Sequence, residues 1–390
     1  MGIFVSRLPT TDLGPRSTYV IRELHLENFR ALREFGMTGL GRVNLLVGTN
    51  NCGKTSVLEA IHVLAAPGTP GPLWNALARR GEIRDDSDER EVDVAHIVHG
   101  HEIEVGGYFS VSGKNDDDER SVRATFIERD PQQLLQQKWR SSRQRSLFEA
   151  DPDDEASLGS IDLSLEWNSP DQSPKLQWPL TRRGALLREV LPASSRQVID
   201  GASPVQFITT EGLTRDHVVA LFEATVLTPD ETMVVEALRT IEPEIERLAS
   251  VGSSRRYGYG FGSRGGIAML VGGKRVPIGS MGDGVWRLLG IALSLVRAER
   301  GILLIDEIDT GLHYSVLVDM WRLVYETAKR LEVQIFATTH SRDCYEALAS
   351  VAEAGRYDIS LQRIERGKPL AIAFSEAEIV QAAERGIEVR

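Results

Sequence analysis

The chain carries only two cysteines, Cys52 and Cys344, among 390 residues. That excludes a disulfide framework and a four-thiolate metal site, and it fits a reducing compartment. It lacks any uninterrupted apolar run of the roughly 18 to 20 residues that a membrane helix needs. Its opening, MGIFVSRLPTTDLGPRS, has no apolar core of the kind a secretory signal carries. These absences lead us to expect a cytoplasmic protein with no membrane segment. An excess of positive charge is missing too: the formal net charge is -11, so any DNA contact must come from a local patch. There is no internal repeat and no guanine-reading Asn/Thr-Lys-x-Asp tetrapeptide. What is present is an ordinary globular composition, 42% hydrophobic, long enough for one large or two smaller domains.

Residues 1–18 read as an N-terminal tail. From Tyr19 to Val47 the pattern alternates as strands do, in YVIRELHLENF and RVNLLVG, and a glycine-containing turn leads into a helical stretch over 54–65. Residues 19–66 are thus expected to form the first half of an α/β domain. Over 67–203 the texture changes: acidic clusters at 85–91, 116–119 and 151–155 alternate with short strand-like runs, which predicts an α+β insertion. Its basic run, Lys138, Arg140, Arg143 and Arg145, reads as a solvated face or as a phosphate contact. Residues 204–390 are expected to complete the domain. Val205 to Thr209 reads as a strand, and Thr228-Pro229-Asp230-Glu231 has capping-box spacing. The helix it starts would bury Met233, Val234, Ala237, Leu238 and Ile241, with Pro243 kinking or restarting it before 244–248. The glycine-rich stretch that follows includes RRYGYGFGSRGG, which offers stacking surfaces to single-stranded nucleic acid or a loop into a hairpin. The hairpin would pair IAMLV with KRVPI around Gly272-Gly273. Alternating helix and strand in the last third predicts a parallel sheet with helices on both faces.

The chemistry concentrates in a few places. Gly48-Thr49-Asn50-Asn51-Cys52-Gly53-Lys54-Thr55 matches G-x-x-x-x-G-K-[ST] between a predicted strand and a predicted helix, with Ser56 continuing the helix start. By chance the bare pattern would occur in roughly one chain of this length in a hundred. Glycines let backbone N–H groups turn toward phosphates, Lys54 reaches the outer phosphates of ATP, and the Thr55 hydroxyl binds Mg2+. Gly301-Ile302-Leu303-Leu304-Ile305-Asp306-Glu307 reads as an apolar strand ending in two carboxylates, at the edge where parallel sheets bind ligands. Asp306 is expected in the magnesium shell and Glu307 on the attacking water. Ser280-Met281-Gly282-Asp283-Gly284 precedes an apolar helical run, so it forms an anion-binding helix end better used on a nucleotide held by another subunit. His340 ends the strand VQIFATTH, where it either bonds structurally or senses the terminal phosphate.

With these landmarks in this order, the sequence resembles the ABC-type ATPases of the RecF, SMC and OLD (overcoming lysogenization defect) group. The opening Leu26-Glu27-Asn28-Phe29-Arg30, Asp309-Thr310-Gly311-Leu312-His313 and Thr338-Thr339-His340-Ser341 match as well. The resemblance implies a P-loop NTPase with an ABC-ATPase-like mixed sheet flanked by helices, dimerising or assembling further around shared ATP sites. It implies that Asp309 lies in the loop crossing to the partner, that His340 is the switch histidine, and that Arg30 lies at nucleotide or DNA-related surfaces. The heptad runs of SMC arms are absent from 67–203, and the 50 residues after His340 are too few for the TOPRIM nuclease of OLD proteins. The expected function is therefore an ATPase controlling a separate effector, such as a nuclease in phage defence. A RecF-like repair ATPase and a nucleotide-gated scaffold are the alternatives.

Overall fold

The computed structural model describes residues 20–83, 91–129, 158–170, 173–187, 205–251, 266–352 and 358–387. The N-terminal tail, the basic run at 138–145, the acidic residues at 85–90 and 151–155, and RRYGYGFGSRG at 255–265 lie outside them.

A six-stranded sheet runs in the order β10 (Val205–Ile208), β14 (Ile302–Ile305), β15 (Gln334–Thr338), β3 (Val43–Val47), β16 (Ile359–Arg363) and β17 (Ile372–Phe374). The first five are parallel neighbours and β17 is antiparallel to β16, so the sheet is mixed and flanked by helices, as expected. The sheet is buried on both faces, which explains its near-continuous apolar strands. Leu303 and Ile305 enter one core, whereas Ile302 and Leu304 enter the other. On the first face lie α5 (Asp283–Arg297), α6 (Leu317–Arg330) and α7 (Arg342–Val351). On the second lies α1 (Lys54–Leu64), with α2 (Gly71–Arg79) beside it.

A second sheet covers α1 from the other side. It is antiparallel and eight-stranded, in the order β2 (Leu32–Met37), β1 (Glu23–Phe29), β5 (Tyr108–Lys114), β6 (Glu119–Glu128), β7 (Leu158–Asn168), β8 (Lys175–Thr181), β9 (Ala185–Leu187) and β4 (Glu91–Asp93). Residues read as an insertion thus extend the sheet opened by β1 and β2. Its inner face packs Phe109, Phe126, Leu163 and Trp167 into the core shared with α1, and the Trp167 indole donates to Val63 O at 3.1 Å. Each large apolar side chain enclosed there contributes about 1.5–3 kcal/mol.

The region after β10 holds α3 (Arg215–Thr225), α4 (Asp230–Arg239) and a small sheet of β11 (Ile245–Ser250), β12 (Ile267–Val271) and β13 (Lys274–Pro277). Gly272 and Gly273, with φ of 52° and 72°, make the expected hairpin turn. The helical restart expected over 244–248 is corrected: that segment is β11. A bulge between Ile245 and Arg247 shifts the alternation, so Ile245 and Leu248 are buried three apart and imitate a helical period. At α4 the Thr228 hydroxyl accepts from Asp230 N at 3.3 Å, while the Glu231 carboxylate reaches Leu227 N at 2.8 Å, one residue earlier than a capping box would. The last helix, α8 (Glu376–Glu384), starts with a complete capping box between Ser375 and Glu378. Among the described residues no helix is long and apolar enough to cross a membrane.

Candidate functional site

The loop between β3 and α1 emerges at the carboxyl edge of the central sheet. Gly48, Asn51 and Gly53 take φ of 145°, 59° and 108°. Such angles turn successive N–H groups to one side, and only glycine adopts the two largest without strain. A Cβ at Gly48 would stand 2.3 Å from Ile364 O, so close approach requires glycine there as well. Thr49, Asn50 and Asn51 are exposed, whereas Cys52, Lys54 and Ser56 are buried. The Lys54 ammonium donates to Gly48 O at 2.8 Å and Thr49 O at 2.9 Å. Burial lowers its pKa, and the nearby Cys52, Asp306 and Glu307 pull the other way.

Strands β14 and β15 bring the remaining chemistry to the same edge. The Thr55 hydroxyl lies 3.0 and 3.2 Å from the two Asp306 carboxylate oxygens, and the hydroxyls of Thr338 and Thr210 donate to that carboxylate at 2.7 and 3.3 Å. The Lys54 ammonium reaches His340 Nδ1 at 3.3 Å, and His340 Nε2 stands 3.5 Å from Glu307 Oε1. The imidazole thus stands between the Lys54 ammonium and the Glu307 carboxylate. Glu307 itself has a φ of 49°, and its N–H is held by the Thr338 hydroxyl at 2.8 Å. One residue's hydroxyl thus fixes both members of the acid pair.

Of the predicted site residues, the structure brings Lys54, Thr55, Asp306, Glu307 and His340 together. Asp309 lies just beyond, accepting from the Thr339 hydroxyl at 2.6 Å. The helix end is elsewhere: Ser280 and Gly282 are exposed, and Gly284 packs against Gly311 of the 309–313 loop, 3.1 Å from its carbonyl oxygen to an added Cβ. Arg30 is 5% exposed and does not open toward the phosphate loop. Its guanidinium is paired with Glu59 at 2.6 Å and Glu82 at 2.8 Å, and it donates to Ala76 O at 3.2 Å. A buried guanidinium so engaged ties β1 to α1 and α2, and the motif position alone did not reveal its partners. Glu59 is shared with Arg80, which also reaches the Ser56 hydroxyl at 3.3 Å.

Sequence reasoning missed Arg287 on α5. It is 5% exposed, and it donates to Thr209 O at 2.7 Å, Asp306 O at 2.7 Å and Glu307 O at 2.8 Å. A basic residue inside an otherwise apolar helical run was the available signal. Along β10 a cavity of about 510 Å3 is lined by His62, Asn75, Arg79, Phe207, Glu211 and His217, and the Arg79 guanidinium stacks 4.0 Å from the Phe207 ring centroid.

Hard oxygen donors at Thr55 and Asp306 fit a small divalent cation that keeps waters and takes phosphate oxygens. Among the described residues no cluster of three or more His, Cys, Asp or Glu side chains forms a self-sufficient metal cage.

The chain matches the AAA ATPase domain family over residues 20–154 and 228–344. It is 19% identical over 355 residues to an ATP/GTP phosphatase of Helicobacter pylori, covering 85% of this chain and 88% of that protein. It is 44% identical over 45 residues to the DNA replication and repair protein RecF of Acinetobacter baylyi, covering 12% of this chain and 13% of RecF. Among solved structures, an Smc head domain with an extended coiled coil, bound to the C-terminal domain of ScpA and derived from Pyrococcus furiosus, aligns with a TM-score of 0.45. The identity is 12%, over 94% of this chain and 99% of that one.

Proposed function

We infer, from the premise that this chain belongs to the AAA ATPase domain family, that it works as an ABC-type ATPase hydrolysing a nucleoside triphosphate between two copies of itself. The observation that carries this reading is the convergence of Lys54, Thr55, Asp306, Glu307 and His340 at one sheet edge, while Ser280 and Gly282 of the helix end are exposed.

In this reading the inward N–H groups of 48–55 and the Lys54 ammonium bind the phosphates. Thr55 and Asp306 would hold magnesium, which when bound supplies neutralising charge to the phosphate oxygens. Glu307 orients the attacking water and accepts its proton, and His340, between Lys54 and Glu307, is the side chain that senses the terminal phosphate. Ser280, Gly282 and Gly284 would complete the partner's site, with Asp309 crossing between them. The named activity of the Helicobacter relative makes ATP and GTP both worth testing.

The output we propose is a separate effector, a nuclease-like partner in phage defence. The support is the resemblance of the phosphate-loop, Ser280–Gly284, Asp306-Glu307 and His340 landmarks to the OLD group. A second reading, a DNA-binding repair ATPase, is favoured by the short RecF match, and its mark would be DNA binding that weakens steeply with salt. The test of the main reading is phosphate release with ATP or GTP and Mg2+, together with mass measurement by light scattering. Glu307→Gln is expected to retain nucleotide, lose turnover and accumulate as a dimer. Parental turnover in that variant would remove Glu307 from the role, and negligible phosphate release by the parent would leave a nucleotide-gated scaffold. Co-purification from native cells tests the effector.

A further inference from the structure

Arg287 lies one turn into α5, directly behind the Ser280–Gly284 helix end, and its guanidinium grips three backbone carbonyls at 2.7, 2.7 and 2.8 Å. The carbonyls belong to Thr209, at the end of β10, and to Asp306 and Glu307, past the end of β14. Here the parallel ladder has run out, since Asp306 N donating to Ile208 O at 2.8 Å is its last rung. Thr310 N donates to the Glu307 carbonyl at 3.1 Å and Gly212 N to the Thr209 carbonyl at 2.9 Å, so Arg287 adds a second, charged donor to each and ties these turns, including the one through Glu307 with its φ of 49°, to the neighbouring helix.

We propose that Arg287 is a positioning residue for hydrolysis: it fixes the turn that presents Glu307 and couples that turn to the helix end bearing Ser280. The second half rests on the reading of shared sites; the first does not. The Arg287 Nε atom has no hydrogen-bond partner, so the grip is carried by the two terminal nitrogens. The 309–313 loop adds a second contact along the same route, because Gly311 packs on Asp283 at the first turn of α5. When the helix end of one copy engages the other copy's nucleotide, the displacement passes through this guanidinium to the first copy's own hydrolytic acid. Two shared sites then fire cooperatively rather than independently.

The experiment compares the full-length parent with Arg287→Lys and Arg287→Gln in steady-state ATP hydrolysis, nucleotide titration and thermal denaturation. Charge-assisted hydrogen bonds of this kind, lost from the turn holding the acid, are expected to lower kcat about 10- to 100-fold. KM and nucleotide affinity should change little, and the Lys variant should recover part of the kcat lost in Gln. The Hill coefficient for ATP should fall toward one. A loss of thermal stability with kcat unchanged, or a change in KM alone, would overturn the positioning role. Loss of kcat in the variants beside a parent that is monomeric and non-cooperative would keep Arg287 on the acid and reject the shared sites. Should both variants fail to fold, hydrogen exchange on the parent decides. With a non-hydrolysable triphosphate, protection of 280–287 and 306–310 must rise together, and protection of one without the other rejects the coupling.

Discussion

Glu307 holds a left-handed φ of 49° that costs a residue with a side chain about 1 kcal/mol, and it does so beside another carboxylate. Thr338 and Arg287 hold it there by its N–H and its carbonyl. Asparagine tolerates this conformation and removes the negative charge. Glu307→Asn should therefore unfold at a slightly higher temperature than the parent while losing turnover, and a destabilised variant would show that the strain is absent. His62 makes a second, independent case. Burial, with Arg79 near it, lowers its pKa to about 3, so the enclosed ring is neutral in the folded protein. The unfolded imidazole takes up a proton near 6.5. Below that pH the unfolded chain binds the extra proton, so stability falls with acidity down to about 3, at up to about 1.4 kcal/mol per pH unit from this group. Replacing it with Phe should flatten the decline in Tm between about pH 7 and 5.5, before carboxylates begin to titrate. An unchanged slope would mean the ring is protonated in both states.

Among elements, the loop from β3 to α1 and the hairpin at 272–273 both need glycine, for different reasons that substitution separates. A Cβ at Gly48 meets Ile364 O at 2.3 Å and Cys52 Sγ at 2.9 Å, so Gly48→Ala has to displace the loop from β16. Nucleotide affinity should fall at least about tenfold, with a stability loss of about 1–3 kcal/mol. An added Cβ at Gly273 meets nothing within 4 Å, and Asn accepts its φ of 72°, so Gly273→Asn should cost less than about 1 kcal/mol. Nucleotide titration and thermal denaturation check both. These two elements were legible in the sequence because the residues that make them are contiguous and their conformational demands fall on glycine. Asp306-Glu307 and His340 were legible for a related reason: each follows an apolar strand whose end marks the edge where ligands bind. What stayed hidden lies in pairings across distance. The partner of β1 is β5, whose Val111 sits opposite Leu26. The β1–β2 turn passes through Arg30 without a glycine, and the partners of Arg30 and Arg287 come from helices and carbonyls that no local pattern names. The bulge in β11 misled because it converts a period of two into an apparent period of three.

At the scale of the molecule, two sheets enclose α1, and the functional groups divide between a converged edge and an exposed helix end. Just past the 309–313 loop Tyr314 is 66% exposed, its ring against that of His313 with centroids 4.3 Å apart. If each nucleotide is shared, damage to the two halves must complement in trans. Lys54→Ala removes the phosphate-side cation, and Ser280→Arg places a bulky cation at the helix end; each alone should be inactive, the second still binding nucleotide. In a mixed dimer, one site joins the intact Lys54 of one copy to the intact Ser280 of the other, while the second site carries both lesions. Random pairing makes half of the dimers mixed, each with one good site of two, so independent sites should restore about a quarter of parental turnover per chain. Recovery clearly above either variant alone but well short of that fraction is the expected result if Arg287 couples the sites, because a damaged neighbour then slows the intact one. No recovery, in samples where native mass spectrometry counts the mixed dimers, would mean that each chain's helix end never serves its partner's nucleotide.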